Sequence, residues 1–341
     1  MKGRLIALDH FEGAEAAALM VDGRLEDLFI DSEAPRPGAI YRAIAERPVK
    51  GQGGMFLRTP DGPAFLRQVK GLSPGQPILV QVTGHPEPGK ALPVTAKILF
   101  KSRHAIVTPG ARGLNVSRSI RDDARRDALL AIAHAEMGGS DMGLILRSSC
   151  AAADDAEIAE DIRAMHDMAV AVTGDALGKD AEKLTEGDGP HVLAWREWAG
   201  EAALETAPGC FDDHGVLDQI DALHSPDAVL AGGASMAIEP TRALVAVDVN
   251  TGGDTSPAAG LKANIAAARD LPRQLRLRGL GGQIVIDLAP MSKKDRRQFE
   301  TTLRAAFKTD IVETALVGWT PLGHFELQRK RDRIALKEML P

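Results

Sequence analysis

A chain of 341 residues, 44% hydrophobic and 26% charged, is larger than one hydrophobic core supports and has the make-up of a folded globular protein, which excludes the disordered and fibrous classes and predicts several folding units. No apolar run approaches the roughly 20 residues of a membrane helix, and the opening MKGRLIALDHFEG places Asp9, His10 and Glu12 where a signal peptide needs an apolar stretch, so no membrane span and a cytoplasmic location are expected. The net charge of −6 argues against a nucleic-acid partner only if evenly spread, and it is not: acidic residues dominate from Ala151 to Pro240, whereas Arg273, Arg276, Arg278, Lys293, Lys294, Arg296, Arg297, Arg329, Lys330, Arg331 and Arg333 crowd the C-terminal third.

The first segments, RLIAL, AAALMVDG and RLEDLFID, read as short strands with a turn at Gly23, and together as a sheet in need of a covering layer. From SEAPRPGAIYRA onward, GGMFLRT, PAFLRQV, PILVQVTG and ALPVTAKIL are punctuated by Pro and Gly and predict a small five-stranded barrel of the OB type. Such barrels hold single strands on exposed aromatic and basic side chains, which Tyr41, Phe56, Phe65, Arg67 and Lys90 would supply; the alternative is that Phe56 and Phe65 fill the barrel. From Lys101 to about Val172 the pattern turns to mixed α/β, with HAIVTP a strand, DDARRDALLAIAHAEM an amphipathic helix, GLILRSSC a strand and DDAEIAEDIRAMHDMAVAV a second helix. The strand GLIL runs into Arg147, Ser148 and Ser149, a guanidinium fork beside hydroxyls that suits a phosphate, with the capping of a sheet edge by Arg147 as the alternative. GDALGKDAEKLTEGDGP reads as a linker, HVLAWREW as a strand and GVLDQIDALHS as a helix. Cys150 and Cys210 are too few and too far apart for a disulfide scaffold or a Cys-rich zinc site, so reduced thiols follow.

The remainder runs ALVAVDVN as a strand, TGGDTSPAAG as a loop, a helix through LKANIAAARDLPRQLRLRG, GGQIVIDLAPM as a second strand and a helix through SKKDRRQFETTLRAAFKTD. Strand, crossover helix, strand is a βαβ unit, so the two strands should be parallel neighbours with their C-terminal ends on one edge. Pro272 inside the crossover helix predicts a kink or a restart there. Asp248 follows LVAV and Asp287 follows QIVI, each where an apolar strand leaves the core, which is where open α/β sheets bind their ligands. Two carboxylates brought together there repel one another unless a cation lies between them, and oxygen ligands with retained waters suit Mg²⁺. An ion so placed polarises a phosphodiester and activates water, the metal-assisted route to phosphoryl transfer. Asn250, on the face of Asp248 by strand alternation, would hydrogen-bond the carboxylate or the phosphate. The alternative is that both aspartates only cap the turns that follow them. A reading of GLGGQIVID as a dinucleotide-binding turn fails, because that Gly-rich run precedes its strand.

The run ALVAVDVNTG followed by AARDLPRQLRLRGLGGQIVIDLAPM closely resembles the catalytic signature of the ribonuclease E/G family, and PDAVLAGGASMAIEPTRAL resembles the family's entry into that domain. The resemblance implies a multidomain α/β fold: an RNase H-like fold made of two separate segments, at 1–34 and 173–225, an OB-type RNA-binding barrel at 35–100, a 5′-sensor domain at 101–172 and a DNase I-like catalytic domain at 226–341. It implies a Mg²⁺-dependent endoribonuclease of RNA processing and decay that cuts single-stranded RNA, prefers a 5′-monophosphate and leaves 5′-phosphate and 3′-hydroxyl ends. Asp248 and Asp287 match the family's metal-binding aspartates and Asn250 its supporting asparagine; Arg147 and Ser148 match the pair that binds the 5′-phosphate; Phe56, Phe65, Lys90 and Arg118 fall at RNA-binding positions. Departures are that Asp287-Leu288-Ala289-Pro290-Met291 lacks the family's second acidic residue, TGGDTSPAAG lacks a basic residue often found there, and the chain closes at KRDRIALKEMLP before the paired-cysteine zinc link. No structural zinc is therefore expected, and the protein would be a monomer or a zinc-independent homo-oligomer. A catalytically weak or inactive RNA-binding regulator on the same fold is the alternative function.

Overall fold

The computed structural model describes residues 2–49, 53–87 and 89–339. The chain divides into two compact units, Met1–Ile30 with Ala203–Pro341, and Asp31–Ala202.

The first unit begins with a meander of β1 (Arg4–Phe11), β2 (Ala14–Val21) and β3 (Arg24–Ile30). Both connections are two-residue turns with positive φ throughout, Glu12 (49°) with Gly13 (82°) and Asp22 (50°) with Gly23 (79°). That geometry matches the right-handed twist of paired strands, and glycine at the second position makes it inexpensive.

The second unit opens on the barrel. β4 (Ile40–Val49), β5 (Gly54–Thr59), β6 (Gly62–Leu66), β7 (Pro77–Val82) and β8 (Leu92–Thr95) pair in the order β4-β5-β6-β8-β7, and β7 returns to β4, closing an OB-like five-stranded barrel as the punctuation predicted. Its interior holds Tyr41, Met55, Leu57, Leu66, Val80 and Val94. Tyr41, expected on an RNA-facing surface, is instead fully buried, its hydroxyl donating to Asp61 Oδ2 at 2.5 Å.

The chain then forms β9 (Phe100–Lys101), β10 (Ala105–Thr108), β11 (Leu114–Val116), α1 (Asp123–Met137), β12 (Gly143–Leu146) and α2 (Asp155–Gly174). The strands order as β11-β12-β10-β9, and one apolar cluster joins Val107, Leu144 and Leu146 of the sheet to Leu129 and Ala133 of α1 and Ile158 and Ile162 of α2. Asp122 and Asp154 cap the two helices, accepting from the amides of Arg125 and Ala156. β13 (Glu182–Thr185) then adds antiparallel to β4 at the barrel edge. HVLAWREW, expected as a strand, is the helix α3 (Pro190–Glu197). Pro190 in its first turn decides the matter, since a proline there forfeits no helical hydrogen bond and sets φ for the helix.

Back in the first unit, β14 (Ala203–Glu205) pairs parallel with β1, giving the order β14-β1-β2-β3. The short helices α4 (Cys210–Asp213) and α5 (Val216–Ala222) supply Cys210, Phe211, Val216 and Ile220 to that sheet's core. The boundary between units thus falls inside 173–225, the span expected to act as one piece. Burial pushes the Cys150 and Cys210 thiols up to about 11, as befits unreactive packing groups.

The remaining elements of the first unit are β15 (Asp227–Val229), β16 (Ser235–Pro240), β17 (Val245–Asn250), α6 (Ala259–Leu277), β18 (Gly282–Asp287), α7 (Arg296–Lys308), β19 (Thr314–Trp319) and β20 (Phe325–Arg329). The sheet order is β15-β16-β17-β18-β20-β19, and β17 and β18 are parallel neighbours, as the βαβ reading requires. Val245, Val247, Val249, Ile284 and Ile286 pack against Ala267, Leu271 and Leu275 of α6 and Phe299 and Leu303 of α7. The alternate residues of both strands face away from these helices. α6 runs unbroken across Pro272, so the helix does not restart there, and Leu271 and Leu275 anchor both sides of the proline on the sheet.

The C-terminal basic run is only partly a surface. Arg278 and Arg329 are buried, and the side chains of Arg273, Arg276 and Arg333 are about a tenth exposed. Asp310, wholly buried, accepts from Arg276 at 2.9 Å and Arg329 at 2.5 Å; Glu26 pairs with Arg276 at 2.8 Å and Asp27 with Arg333 at 2.5 Å. Lys293, Lys294 and Arg297 do remain exposed.

Candidate active site

Asp248 and Asp287 are register partners across the parallel β17–β18 pair. Because Val247 and Ile286 point into the core, alternation turns both carboxylates to the helix-free face, where they are exposed. The next strands extend the row: Ala237 of β16 pairs with Asp248, and His324, just before β20, brings Nε2 to 3.7 Å from Asp287 Oδ1. Asn250, two residues beyond Asp248, donates from Nδ2 to Asp248 Oδ2 at 2.9 Å. Adjacent carboxylates without an Arg or Lys between them, open to solvent, form a hard-oxygen donor set that fits a divalent cation. Among the described residues no group of three or more His, Cys, Asp or Glu side chains encloses a metal, so water and phosphate oxygens would complete the coordination.

The turn after β18 is fixed from α6. Asn264, fully buried, donates to Ala289 O at 2.8 Å and accepts from Ala289 N at 3.0 Å, and a Cβ on Gly260 would stand 1.9 Å from Pro290 O. The turn through Ala289 and Pro290 is thus held by a backbone clamp from α6. Overpacking a close contact costs about 1–3 kcal/mol, so Gly260→Ala should lower the melting temperature; an unchanged thermal unfolding curve would show that the turn yields to the added methyl. Lys262, in the first turn of α6, reaches back to Asp254 Oδ2 at 3.1 Å and Ser256 Oγ at 3.2 Å, placing a basic group on the loop whose sequence lacks one. Lys293 and Lys294, exposed between β18 and α7, make no ion pair among the described residues. His324, Asn264 and Lys262 were not anticipated: His324 and Asn264 reach the end of β18 from elements distant in sequence, and Lys262 reaches its loop only by folding back from α6.

The second candidate site lies on one edge of the β11-β12-β10-β9 sheet. Arg147 N donates to His104 O at 2.8 Å and Ser117 N to Leu146 O at 2.9 Å, so the loops bearing Arg103, Arg118 and Ser148 converge there. Ser148 and Arg118 are exposed, and Arg118 has no ion-pair partner among the described residues. Arg147 is already engaged: NH1 donates to Ser102 O at 2.7 Å and Arg196 O at 3.3 Å, and NH2 to Glu197 Oε2 at 2.7 Å. Burial alone would raise the Glu197 carboxyl, but Arg147 and Arg196 outweigh it and hold it below the usual glutamate range. An anion therefore already sits on the guanidinium expected to receive phosphate.

On the barrel, Phe56 and Phe65 are cross-strand partners with ring centroids 5.2 Å apart. Both are half-buried on the outer surface, while Met55, Leu57, Ala64 and Leu66 fill the interior. Arg47 lies 4.8 Å over the Phe56 ring, and Gly54 leaves room for Phe65, whose ring a Cβ would meet at 2.4 Å. Lys90, on the loop before β8, pairs with Glu87 at 2.5 Å.

An OB-like barrel, a small α/β sheet with exposed arginines at one end and a sheet bearing paired carboxylates define a multidomain α/β protein. The Ribonuclease E/G family model matches residues 100–201 and 199–332, and the chain belongs to that family. It is 26% identical over 382 aligned positions to ribonuclease E of Nostoc sp., covering 94% of this chain and 55% of that protein. Against ribonuclease E of Synechocystis sp. it is 26% identical over 96% of this chain and 57% of that protein. Against ribonuclease G of Escherichia coli it is 27% identical over 96% of this chain and 80% of that protein. The chain thus spans little more than half the length of the two ribonucleases E. No helix among the described residues is long and apolar enough to cross a membrane.

Proposed function

We propose that this chain is an endoribonuclease that hydrolyses single-stranded RNA in a Mg²⁺-dependent reaction, leaving 5′-phosphate and 3′-hydroxyl ends, and that it serves cytoplasmic RNA processing and decay. The observation that carries the proposal is the register pairing of Asp248 with Asp287 on an exposed sheet face, with Asn250 bound to Asp248. The names of its relatives support the substrate. When bound, the cation supplies Lewis-acid polarisation of the scissile phosphate and a water of lowered pKa. Asp248 and Asp287 would hold it, Asn250 fixes the rotamer of Asp248, and the Asn264 clamp fixes the turn behind Asp287. Lys293 and Lys294 would contact the RNA backbone in the first unit, and Phe56, Phe65, Lys90 and Arg118 would be the RNA-binding residues of the second.

The strand order β3-β2-β1-β14 with β14 parallel supports an RNase H-like reading of that sheet, and the β15–β20 sheet with two helices on one face supports a DNase I-like reading.

Arg147 and Ser148 would bind a 5′-monophosphate that displaces Glu197 from Arg147. A charge-assisted hydrogen bond is worth on the order of 10-fold or more in binding, so Arg147→Ala should erase the preference for 5′-monophosphate over 5′-hydroxyl RNA and Glu197→Gln should increase it. Equal ratios in all three proteins would remove the sensor role.

The overall test is incubation of a 5′-labelled oligoribonucleotide with and without Mg²⁺, with product ends mapped. Metal-dependent internal cuts with 5′-phosphate products are expected. Tight, metal-independent binding without cleavage would establish the regulator instead.

A further inference from the structure

Trp195 is the one aromatic group among the large apolar side chains that are more than a third exposed in the described residues, and it is 62% exposed. Packing does not account for it: Trp198, one turn on, is the buried aromatic at the end of α3. Leaving an indole in water costs hydration free energy without a compensating contact. Yet the ring has a partner on one face. The Arg103 guanidinium lies 3.9 Å from the ring centroid, and Arg103 NH1 donates to Trp195 O at 2.6 Å. Arg103 is itself held from behind, because Ser149 Oγ donates to its carbonyl at 2.6 Å. It pairs with no carboxylate among the described residues, so its charge stands uncompensated beside the ring.

Arg103 and Arg147 therefore cap consecutive carbonyls, those of Trp195 and Arg196, at the C-terminal end of α3. The end of α3 that carries Trp195 is thereby held against the end of β12, where Arg147 and Ser148 follow, and the exposed Arg118, with no ion-pair partner among the described residues, follows the neighbouring β11. An exposed, pre-oriented aromatic face among uncompensated cations is the composition of a single-stranded nucleic-acid subsite: bases stack on the ring while cations track the phosphates.

We propose that Trp195, oriented by Arg103, is the stacking platform for a nucleobase at the 5′ end of single-stranded RNA. This rests on the RNA-binding reading above and adds a ligand-binding group to it. Stacking is tolerant of base identity because every base has a π-face, so the subsite recognises the presence of a base rather than its sequence. It also gives the edge an affinity for RNA that does not depend on freeing Arg147 from Glu197.

The test uses the full chain without divalent metal, so that RNA is bound but not cut, and follows tryptophan fluorescence on titration with a 5′-phosphorylated oligoribonucleotide. Parent protein should show quenching that Trp195→Ala abolishes, with affinity falling on the order of 10-fold and largely restored in Trp195→Phe. An abasic first nucleotide should weaken parent binding but leave Trp195→Ala unaffected. Unchanged melting curves exclude a folding defect, which an exposed side chain should not cause. If Trp195→Ala binds as tightly as parent and both respond equally to the abasic end, the platform is wrong while RNA binding stands. If no protein binds RNA at all, the RNA reading itself fails and the platform with it.

Discussion

Asp248→Asn and Asp287→Asn should each lower the rate of RNA cleavage on the order of 1,000-fold, because a metal ion supplies several kcal/mol of transition-state stabilisation and each 1.36 kcal/mol is tenfold. Both changes keep side-chain volume and remove charge at the row where β17 and β18 are in register. Neither should unfold the protein: the side chains are exposed, and removing one of two facing carboxylates relieves repulsion, so the melting temperature should hold or rise slightly. RNA binding without metal should also persist. Loss of cleavage with intact folding and binding separates a metal-holding role from a structural one; a variant that cuts like the parent would dismiss that aspartate from the chemistry.

Asp310→Ala should produce the largest loss of stability of any single change considered. Its carboxylate is wholly buried between Arg276 and Arg329, and Arg329 also donates to Thr314 Oγ1 at 2.8 Å. Removing one member of a buried ion cluster leaves uncompensated charge and costs about 3–5 kcal/mol, a drop in melting temperature on the order of 10 °C for a unit of this size. Adding Arg329→Met should recover some of that loss, because Arg276 retains Glu26 whereas Arg329 is left in an apolar setting. Thermal unfolding of the single and double variants decides it; additive losses would mean the arginines do not depend on Asp310.

These two expectations also mark where sequence reasoning succeeded and where it stopped. The carboxylate pair was legible because two apolar runs, each ending in Asp and separated by one helix-length segment, leave a parallel neighbouring arrangement as the simplest topology. The barrel was legible because Pro and Gly punctuate its strands at short intervals. Charge along the chain was misleading: Arg276, Arg278, Arg329 and Arg333 read as a basic surface, yet they turn inward, partly onto Glu26, Asp27 and Asp310, residues far away in sequence. Arg147 has the same history, its partner Glu197 lying 50 residues on. HVLAWREW carried a strand-like apolar run, and Pro190 outweighed it. His324 gave no signal at all, since only the β18–β20 pairing brings it to Asp287.

Mn²⁺ binding followed by electron paramagnetic resonance tests most directly whether Asp248 and Asp287 hold the cation on which the proposed chemistry depends. Parent protein is expected to bind Mn²⁺ at a site from which Mg²⁺ displaces it, and the folded Asp248→Asn/Asp287→Asn double variant is expected to lack that site. A double variant that binds Mn²⁺ with the parent's affinity and the same displacement by Mg²⁺ would contradict it.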